Sequence, residues 1–186
     1  IPLGTFLLLH VGANVLRKNM TTLLTALAQL RGRRSDFALV KVGKSLLRDP
    51  ILGSAARDVS EMLIELGRVD PIGLVEVYNA CDVFVFPSSY EGFGRPILEA
   101  QGRGLPCLLA DSSCLREVGG ETSAMYHSTM NPNDLAHKLE LLLSRPQQRH
   151  ELREAGFRNV ARFSWDVHAE RIVQTCFREP NQGSRL

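Results

Sequence analysis

The residue types that could carry chemistry are concentrated in one segment, PSSYEGFGRPILE, which follows the apolar run VFVF. Gly92 and Gly94 bracket Phe93 just before a predicted helix, and glycines let the backbone approach a ligand closely. Free amides at the start of a helix, together with the helix dipole, favour a phosphate or another anion. Glu91 and Glu99 add two carboxylates, which pair well with the vicinal hydroxyls of a sugar or a ribose. The segment is therefore typical of a site for a phosphorylated sugar or a nucleotide sugar.

The residues alone leave a plainer interpretation of the two glutamates open. Glu91 could be a solvated loop residue and Glu99 an acid on a helix surface, where most glutamates lie. The pair matches the acid and base of a glycoside hydrolase poorly, because those carboxylates flank the scissile bond. Glu91 and Glu99 instead come from one short segment.

Two adjacent cations, Arg17 and Lys18, form a second candidate site between the first apolar run and the first helical pattern. They could neutralise a diphosphate, and the arginine could do so through a bidentate contact. An Arg-Lys pair taken alone is usually a solvated surface feature, but this one is predicted to lie on the same sheet edge as Glu91. Gly12 ends the preceding strand, and it either keeps a binding cleft open or simply makes a turn.

Two further turns lie at the same predicted edge. Gly43 ends the second predicted strand and has the same two interpretations as Gly12. Arg68 and Val69 follow Gly67 after the third predicted strand, where their backbone groups could contact a nucleobase.

The elements that must position these residues alternate between strands and helices. Buried strands are predicted at residues 5–11, 37–42, 62–66, 83–86 and 106–110, and residues 44–56 have no clear pattern. Helical patterns follow, two of them opened by a capping residue and a proline, at Asp70-Pro71 and Asn131-Pro132. This alternation predicts an α/β fold, with a Rossmann-like parallel sheet of about six strands and helices on both faces. Ligands of such sheets bind beyond the carboxyl ends of the strands.

Composition excludes several classes of protein. The chain has 186 residues and a net charge of +2, without the basic excess typical of nucleic-acid binding. No apolar run reaches the ~18 residues that would span a bilayer, so membrane association is not indicated. The four cysteines have no CxxC spacing and the histidines form no HExxH motif, so no metal site is expected. The chain begins with Ile1 and enters a strand almost at once, which suggests that upstream sequence is missing.

The ordered motifs of the chain resemble a known family. They are GRV at residue 67, YNACDVFVFPS at 78, EGFGRPILEA at 91 and GLP at 104, and they resemble the C-terminal domain of GT-B glycosyltransferases. The likeness is greatest to the retaining group-1 family, GT4, and covers nearly the whole chain. It implies that residues 1–178 form a domain that binds the nucleotide-sugar donor, with a frayed tail at 179–186. It also implies that the N-terminal acceptor domain of the GT-B fold is missing here.

The resemblance also implies roles for the candidate residues. Glu91 would contact hydroxyls of the donor sugar, and Glu99 would bind the ribose hydroxyls. Lys18 would stabilise the departing diphosphate, so Lys18 and Glu91 are the expected catalytic residues. The family retains the anomeric configuration and needs no cofactor or active-site metal. The remaining donor-binding positions would be Gly12, Arg17, Arg68, Val69, Gly92, Phe93 and Gly94.

One departure from the family and several alternatives qualify this interpretation. Many members carry an arginine where this chain has Ala13, and Arg17 is the residue expected to substitute for it. The function expected is transfer of a hexosyl group from a UDP-, GDP- or ADP-sugar to an acceptor. The location expected is the cytoplasm, with a peripheral place at the cytoplasmic membrane face, through the missing half, left open. This half alone is expected to bind donor without transferring it. The alternatives are a non-catalytic nucleotide-sugar-binding module and a GT-B-type sugar-nucleotide epimerase.

Overall fold

A computed structural model describes residues 2–176, which form a six-stranded parallel sheet flanked by helices. The strands are β1 (Phe6–Val11), β2 (Phe37–Val42), β3 (Leu63–Gly67), β4 (Val83–Phe86), β5 (Cys107–Ala110) and β6 (Met125–His127), in the order β3-β2-β1-β4-β5-β6. The helices are α1 (Met20–Arg31), α2 (Gly53–Asp58), α3 (Pro71–Ala80), α4 (Arg95–Gly102), α5 (Leu115–Gly119), α6 (Pro132–Ser144), α7 (Pro146–Val160) and α8 (Trp165–Cys176). The predicted α/β fold is confirmed.

Successive strand residues face two separate hydrophobic cores, one on each side of the sheet. In β1, Leu8 packs with α1, α2 and α6, whereas Leu9 packs with α3, α4 and α5. In β4, Val83 and Val85 face the first core and Phe84 and Phe86 face the second. Strands buried on both faces read as continuous apolar runs, which is why the sequence reveals them.

The strand order reverses at β1. The chain places β2 and then β3 on one side of β1, and it returns to place β4 on the other side. The connections that leave β1 and β4 therefore cover opposite faces, and they part at the carboxyl ends of these two strands. In open α/β sheets this switch point is where a ligand crevice forms.

Local signals for helix starts are confirmed. The Asp70 side chain accepts hydrogen bonds from the amides of Ile72 and Gly73, both at 2.9 Å, and Pro71 begins α3. The Asn131 side chain caps α6 in the same way. Within residues 2–176, no helix is long and apolar enough to cross a membrane.

Three short elements were not identified from the sequence. They are α2, which lies in the segment without a clear pattern, α5, and the sixth strand, β6. The five predicted strands match observed ones, with no bound shifted by more than one residue. The expected fraying of 179–186 concerns residues outside the described part of the chain. The sequence also predicts a last helix at residues 165–177, and its final residue, Phe177, lies outside that part too.

Candidate functional site

The loop after β1 and the loop after β4 are joined at the switch point. The backbone after β1 makes a short 3-10 turn, Leu16–Lys18, and ends at Asn19, which is left-handed with φ 52°. The amide of Ser89 donates to the carbonyl of Arg17 at 2.7 Å, and the Asn19 amide group donates to the carbonyl of Pro87 at 3.1 Å. These bonds fix the cation-bearing turn against the start of the glutamate-bearing loop.

Both cations of that turn form ion pairs with Glu91. The Lys18 Nζ atom lies 2.7 Å from Oε1 of Glu91, and an Arg17 guanidinium nitrogen lies 2.8 Å from Oε2. Lys18 also lies over the Phe86 ring, 4.3 Å from its centroid. Lys18 and Glu91 are 8% and 9% exposed, so this is a largely buried charge cluster. The sequence placed these residues on one sheet edge, and the structure brings them into direct contact.

The surroundings of Glu91 favour its charged form. Burial alone would raise the pKa of Glu91, but the hydrogen bond and charge of Lys18, with Ser88 and Arg17, hold that pKa below its ordinary value. The carboxylate is therefore ionised. Two cations face one anion, which leaves one positive charge in the crevice for an anionic ligand.

The loop after β5 supports the loop that carries Glu91. The Ser112 hydroxyl donates to the Ser88 carbonyl at 2.7 Å, and the Ser113 hydroxyl donates to the Glu91 carbonyl at 2.9 Å. The Cys114 thiol also lies 3.2 Å from the Glu91 carbonyl. The backbone of Glu91 is thus fixed from a second strand end. The sequence analysis did not identify these three residues.

The start of α4 lies at the end of the same loop. Gly94 is its N-cap with φ 94°, and no side chain caps the helix, unlike α3 and α6. This left-handed backbone favours glycine, and a Cβ at Gly94 would in addition press on the end of the Ile97 side chain at 3.0 Å. Gly92 is different, since a Cβ there would meet nothing within 4 Å. Phe93 is 45% exposed and packs edge-on against Phe163.

Gly12 lies beside the cluster, and the protein uses both of its backbone groups. Its amide donates to the carbonyl of Val42 at 3.0 Å, and its carbonyl accepts from the Lys41 ammonium at 2.6 Å. A Cβ at Gly12 would lie 3.4 Å from Cε of Lys18 and 3.5 Å from Nε2 of His10. Gly12 therefore contributes to the site by having no side chain, which leaves space beside Lys18.

Lys41 is a further residue of the site region that was not identified from the sequence. Its side chain is fully buried, and its ammonium also donates to the carbonyls of Val42 and Lys44 at 3.0 and 3.3 Å. Burial is the main reason that its pKa falls to about 8; the charge of Glu65 acts in the opposite direction and that of Lys18 in the same one. A lysine inside the otherwise apolar strand FALVKV was the signal that could have identified it.

His10 is a buried neutral side chain beside this region. Burial, together with the charges of Lys41 and Lys18, lowers its pKa to about 3. Its Nδ1 atom lies 3.1 Å from the Val85 carbonyl and its ring stacks on Phe86. These contacts make His10 a packed part of the core beside the site. Within residues 2–176, no group of three or more His, Cys, Asp or Glu residues is arranged to hold a metal ion.

Glu99 lies in a different part of the site from Glu91. It is exposed on α4, where its Oε2 atom accepts a 2.9 Å hydrogen bond from the Tyr78 hydroxyl of α3. Burial, with the charge of Glu99, raises the pKa of Tyr78, so the phenol keeps its proton and remains a donor. A cleft of about 570 Å³ opens here, lined by Pro71, Leu74, Val75, Tyr78, Leu98, Glu99, Gly102 and Arg103.

The turn after β3 lies next to this cleft, because α3 begins immediately after it. Gly67 has φ 67°, and its carbonyl accepts from the amide of Gly43 at 2.7 Å. Arg68 is exposed and Val69 is half-buried. A Cβ at Gly73 would come within 2.8 Å of the Val69 side chain, so glycine lets Val69 pack on the first turn of α3. The fold thus brings the expected base-binding turn to the cleft that holds Glu99.

Comparison with known proteins identifies the family. Residues 1–159 match the family described as Glycosyl transferases group 1. The chain belongs to this family. The expected membership of the group 1 glycosyltransferases is therefore confirmed.

Group 1 relatives are longer than this chain. A GDP-mannose-dependent monoacylated alpha-(1-6)-phosphatidylinositol monomannoside mannosyltransferase of Corynebacterium glutamicum is 29% identical over 88% of this chain and 45% of its own length. O-antigen chain mannosyltransferase B of Escherichia coli is 34% identical, over 85% of this chain and 42% of its own length. Among solved structures, sucrose-phosphate synthase from Thermosynechococcus elongatus superposes with a TM-score of 0.81 and 26% identity, over 95% of this chain and 46% of that one. The chain thus spans less than half the length of these proteins.

Proposed function

We propose that this chain is the donor-binding half of a glycosyltransferase that moves a hexosyl group from a nucleotide-diphosphate sugar to an acceptor. The observation that carries the proposal is the contact of Lys18 and Arg17 with Glu91 at the crevice between β1 and β4. Cations, a carboxylate and an uncapped helix start at one switch point suit a ligand that has both phosphates and hydroxyls. Membership of the group 1 family supports the same chemistry.

In this proposal Lys18 and Arg17 neutralise the diphosphate. Negative charge grows on the diphosphate as the glycosidic bond breaks, and fixed cations stabilise that charge without reorganising. Arg17 takes the place of the arginine that the family often has at Ala13, and its contact with Glu91 supports this substitution. The free amides of Gly92, Phe93 and Gly94 face the phosphate and the sugar. Because these groups supply the positive potential, we expect no requirement for a metal or a cofactor.

The cleft between α3 and α4 takes the nucleoside in this proposal. The Glu99 carboxylate binds the ribose hydroxyls, and Tyr78 holds it in place. The backbone at Arg68 and Val69 contacts the base. Gly12 leaves space beside Lys18 for the phosphates.

GDP-mannose is the first donor to test. One relative is named as GDP-mannose-dependent and another as a mannosyltransferase. We expect retention of the anomeric configuration, as the resemblance implies, and a cytoplasmic location. The acceptor site would belong to an N-terminal domain, which is the partner of this half. We therefore expect the chain alone to bind donor without measurable transfer.

The experiment is a calorimetric titration of the chain with GDP, UDP and ADP and with their mannose and glucose conjugates. One nucleotide should bind, and Glu99→Ala should weaken its binding strongly. Glu61→Ala is the matched control, because Glu61 is an exposed carboxylate that pairs with Arg31 on the protein surface. A folded chain that binds none of these ligands would contradict the proposal.

The two alternatives predict other products. A sugar-nucleotide epimerase would convert the donor to its epimer without any acceptor, and a non-catalytic module would leave it unchanged in the full-length protein. Family membership and the named relatives do not favour either alternative. Nuclear magnetic resonance of the product of the full-length protein distinguishes all three outcomes and reports the anomeric configuration.

A further inference from the structure

We propose that Glu91 competes internally with the diphosphate for Lys18 and Arg17, and thereby disfavours the sugar-free nucleotide relative to the nucleotide sugar. The inference rests on the proposed function and adds a second role for this carboxylate. In the free chain, Glu91 already occupies the cation contacts that an incoming diphosphate needs.

The geometry of the pairs carries this inference. One carboxylate uses both oxygens, at 2.7 Å from Lys18 and at 2.8 Å from Arg17. The Lys18 side chain is only 10% exposed, and the Phe86 ring covers one side of its ammonium. A phosphate that reaches this ammonium must therefore displace or share the contact with Glu91.

The backbone that carries Glu91 is held close to the cation-bearing turn. The Glu91 backbone carbonyl accepts a hydrogen bond from Ser113 at 2.9 Å, and the Cys114 thiol lies 3.2 Å from it. The cation-bearing turn is joined to the same loop by the 2.7 Å bond from Ser89 to Arg17. These bonds hold the point from which the Glu91 side chain extends next to Lys18 and Arg17, so in this proposal its carboxylate remains near them while a ligand is bound.

A donor and its product differ in what they offer to this carboxylate. The sugar hydroxyls of a nucleotide sugar donate hydrogen bonds to Glu91 when the diphosphate shares Lys18 and Arg17 with this carboxylate. A nucleoside diphosphate supplies none, and its terminal phosphate carries additional negative charge, so Glu91 repels it. The carboxylate thus favours the donor over the spent nucleotide and promotes release of that product.

The test compares Glu91→Gln with the parent protein by calorimetric titration of the full chain. The probes are inorganic pyrophosphate, GDP, UDP, ADP and the corresponding mannose and glucose conjugates. Removing the charge should tighten binding of pyrophosphate and of the nucleoside diphosphate by about tenfold, in line with measured couplings between close charges. The affinity for the nucleotide sugar should increase less or should fall, because its hydroxyls lose the charged acceptor. A merely structural role would not increase any affinity.

Three further variants make the test specific. Glu61→Gln removes an exposed carboxylate elsewhere and should leave all affinities unchanged. In a Lys18→Met background, Glu91→Gln should tighten diphosphate binding much less, because the competition acts through that cation. Should Glu91→Gln fail to fold, Glu91→Asp keeps the charge but shortens its reach, and a smaller increase in diphosphate affinity is expected.

The outcomes separate this inference from the proposed function. If the parent chain binds a nucleotide and Glu91→Gln binds its diphosphate no more tightly, the inference is wrong and the donor site stands. If neither protein binds any nucleotide or pyrophosphate, the donor site is rejected and this inference with it.

Discussion

The ammonium of Lys41 lies 2.6 Å from the carbonyl oxygen of Gly12, so a buried cation in β2 holds the backbone of the loop that follows β1. The same loop leads to Lys18 and Arg17. A Cβ at Gly43 would lie only 2.3 Å from this carbonyl oxygen, so the two strand ends approach closely enough to require glycine. The position of Lys18 and Arg17 thus depends on the hydrogen bond between Lys41 and Gly12.

Replacing Lys41 with methionine should destabilise the fold. The substitution keeps the apolar length of the side chain but leaves the Gly12 and Val42 carbonyls without this donor. Such losses typically cost about 1–3 kcal/mol. Chemical denaturation at pH 7 measures the change, and Lys44→Met, at a neighbouring exposed lysine, should cost less than about 0.5 kcal/mol. Equal effects of the two variants would contradict the role of Lys41.

The contribution of Lys41 should increase with pH. Its pKa is about 8 in the fold and 10.5 as the ordinary value, so the unfolded chain binds more protons between these limits. Stability of the parent relative to Lys41→Met should therefore rise from pH 8 to pH 10.5, by about 3 kcal/mol, and the gain should be lost as the pH falls through 8. Denaturation of both proteins across this range is the measurement. A difference that stays constant or falls would show that Lys41 does not titrate in this way.

Tyr78→Phe should weaken nucleotide binding with little loss of stability. The change removes the hydroxyl that donates to Glu99 at 2.9 Å and keeps the buried ring. A lost hydrogen bond to a charged group corresponds to about 1.5 kcal/mol, or roughly a tenfold weaker affinity if Glu99 holds the ribose. Tyr126→Phe is the matched control, because its hydroxyl donates to the Gly120 carbonyl away from this cleft. Tyr126→Phe should lower stability and leave nucleotide affinity unchanged. Equal nucleotide affinities of the parent, Tyr78→Phe and Tyr126→Phe would contradict the proposed role of Tyr78.

Gly92→Ala should preserve stability and reduce donor affinity. A Cβ there meets nothing within 4 Å and the backbone is not left-handed, so the free fold tolerates alanine within about 0.5 kcal/mol. A ligand that approaches this backbone would meet the new methyl group. Gly43→Ala is the contrasting variant, with φ 115° and the 2.3 Å clash, and it should lose several kcal/mol, roughly 3 or more. Thermal unfolding and calorimetric titration test both, and unchanged donor binding by Gly92→Ala would remove this glycine from the site.

Much of the fold was predictable because its signals are local. The run VFVF is buried on both faces, and Asp70-Pro71 caps and begins a helix within a few residues. β6 has only three residues, and such a short element has too little pattern to recognise. Its place depends on pairing with β5, the preceding strand, across the intervening helix α5.

The candidate site was predictable in its position but not in its contacts. Because parallel strands end at one edge, the cations after β1 and the glutamate after β4 had to be near each other. The sequence pattern does not show that Glu91 contacts Lys18 whereas Glu99 contacts Tyr78 in a different cleft. Lys41 was overlooked because one charge in an apolar strand looks like a surface residue until the neighbouring strands bury it.

By itself, the sequence determined the α/β class, the strands that are buried on both faces, the helix caps and the family motifs, since these depend on neighbouring residues. Only the tertiary structure decided that Glu91 pairs with both Lys18 and Arg17 and that Lys41 holds Gly12. These contacts join residues far apart in the chain, and they form only when the strand order places β1 between β2 and β4. That order is set by the packing of helices on both faces of the sheet, which no local pattern encodes.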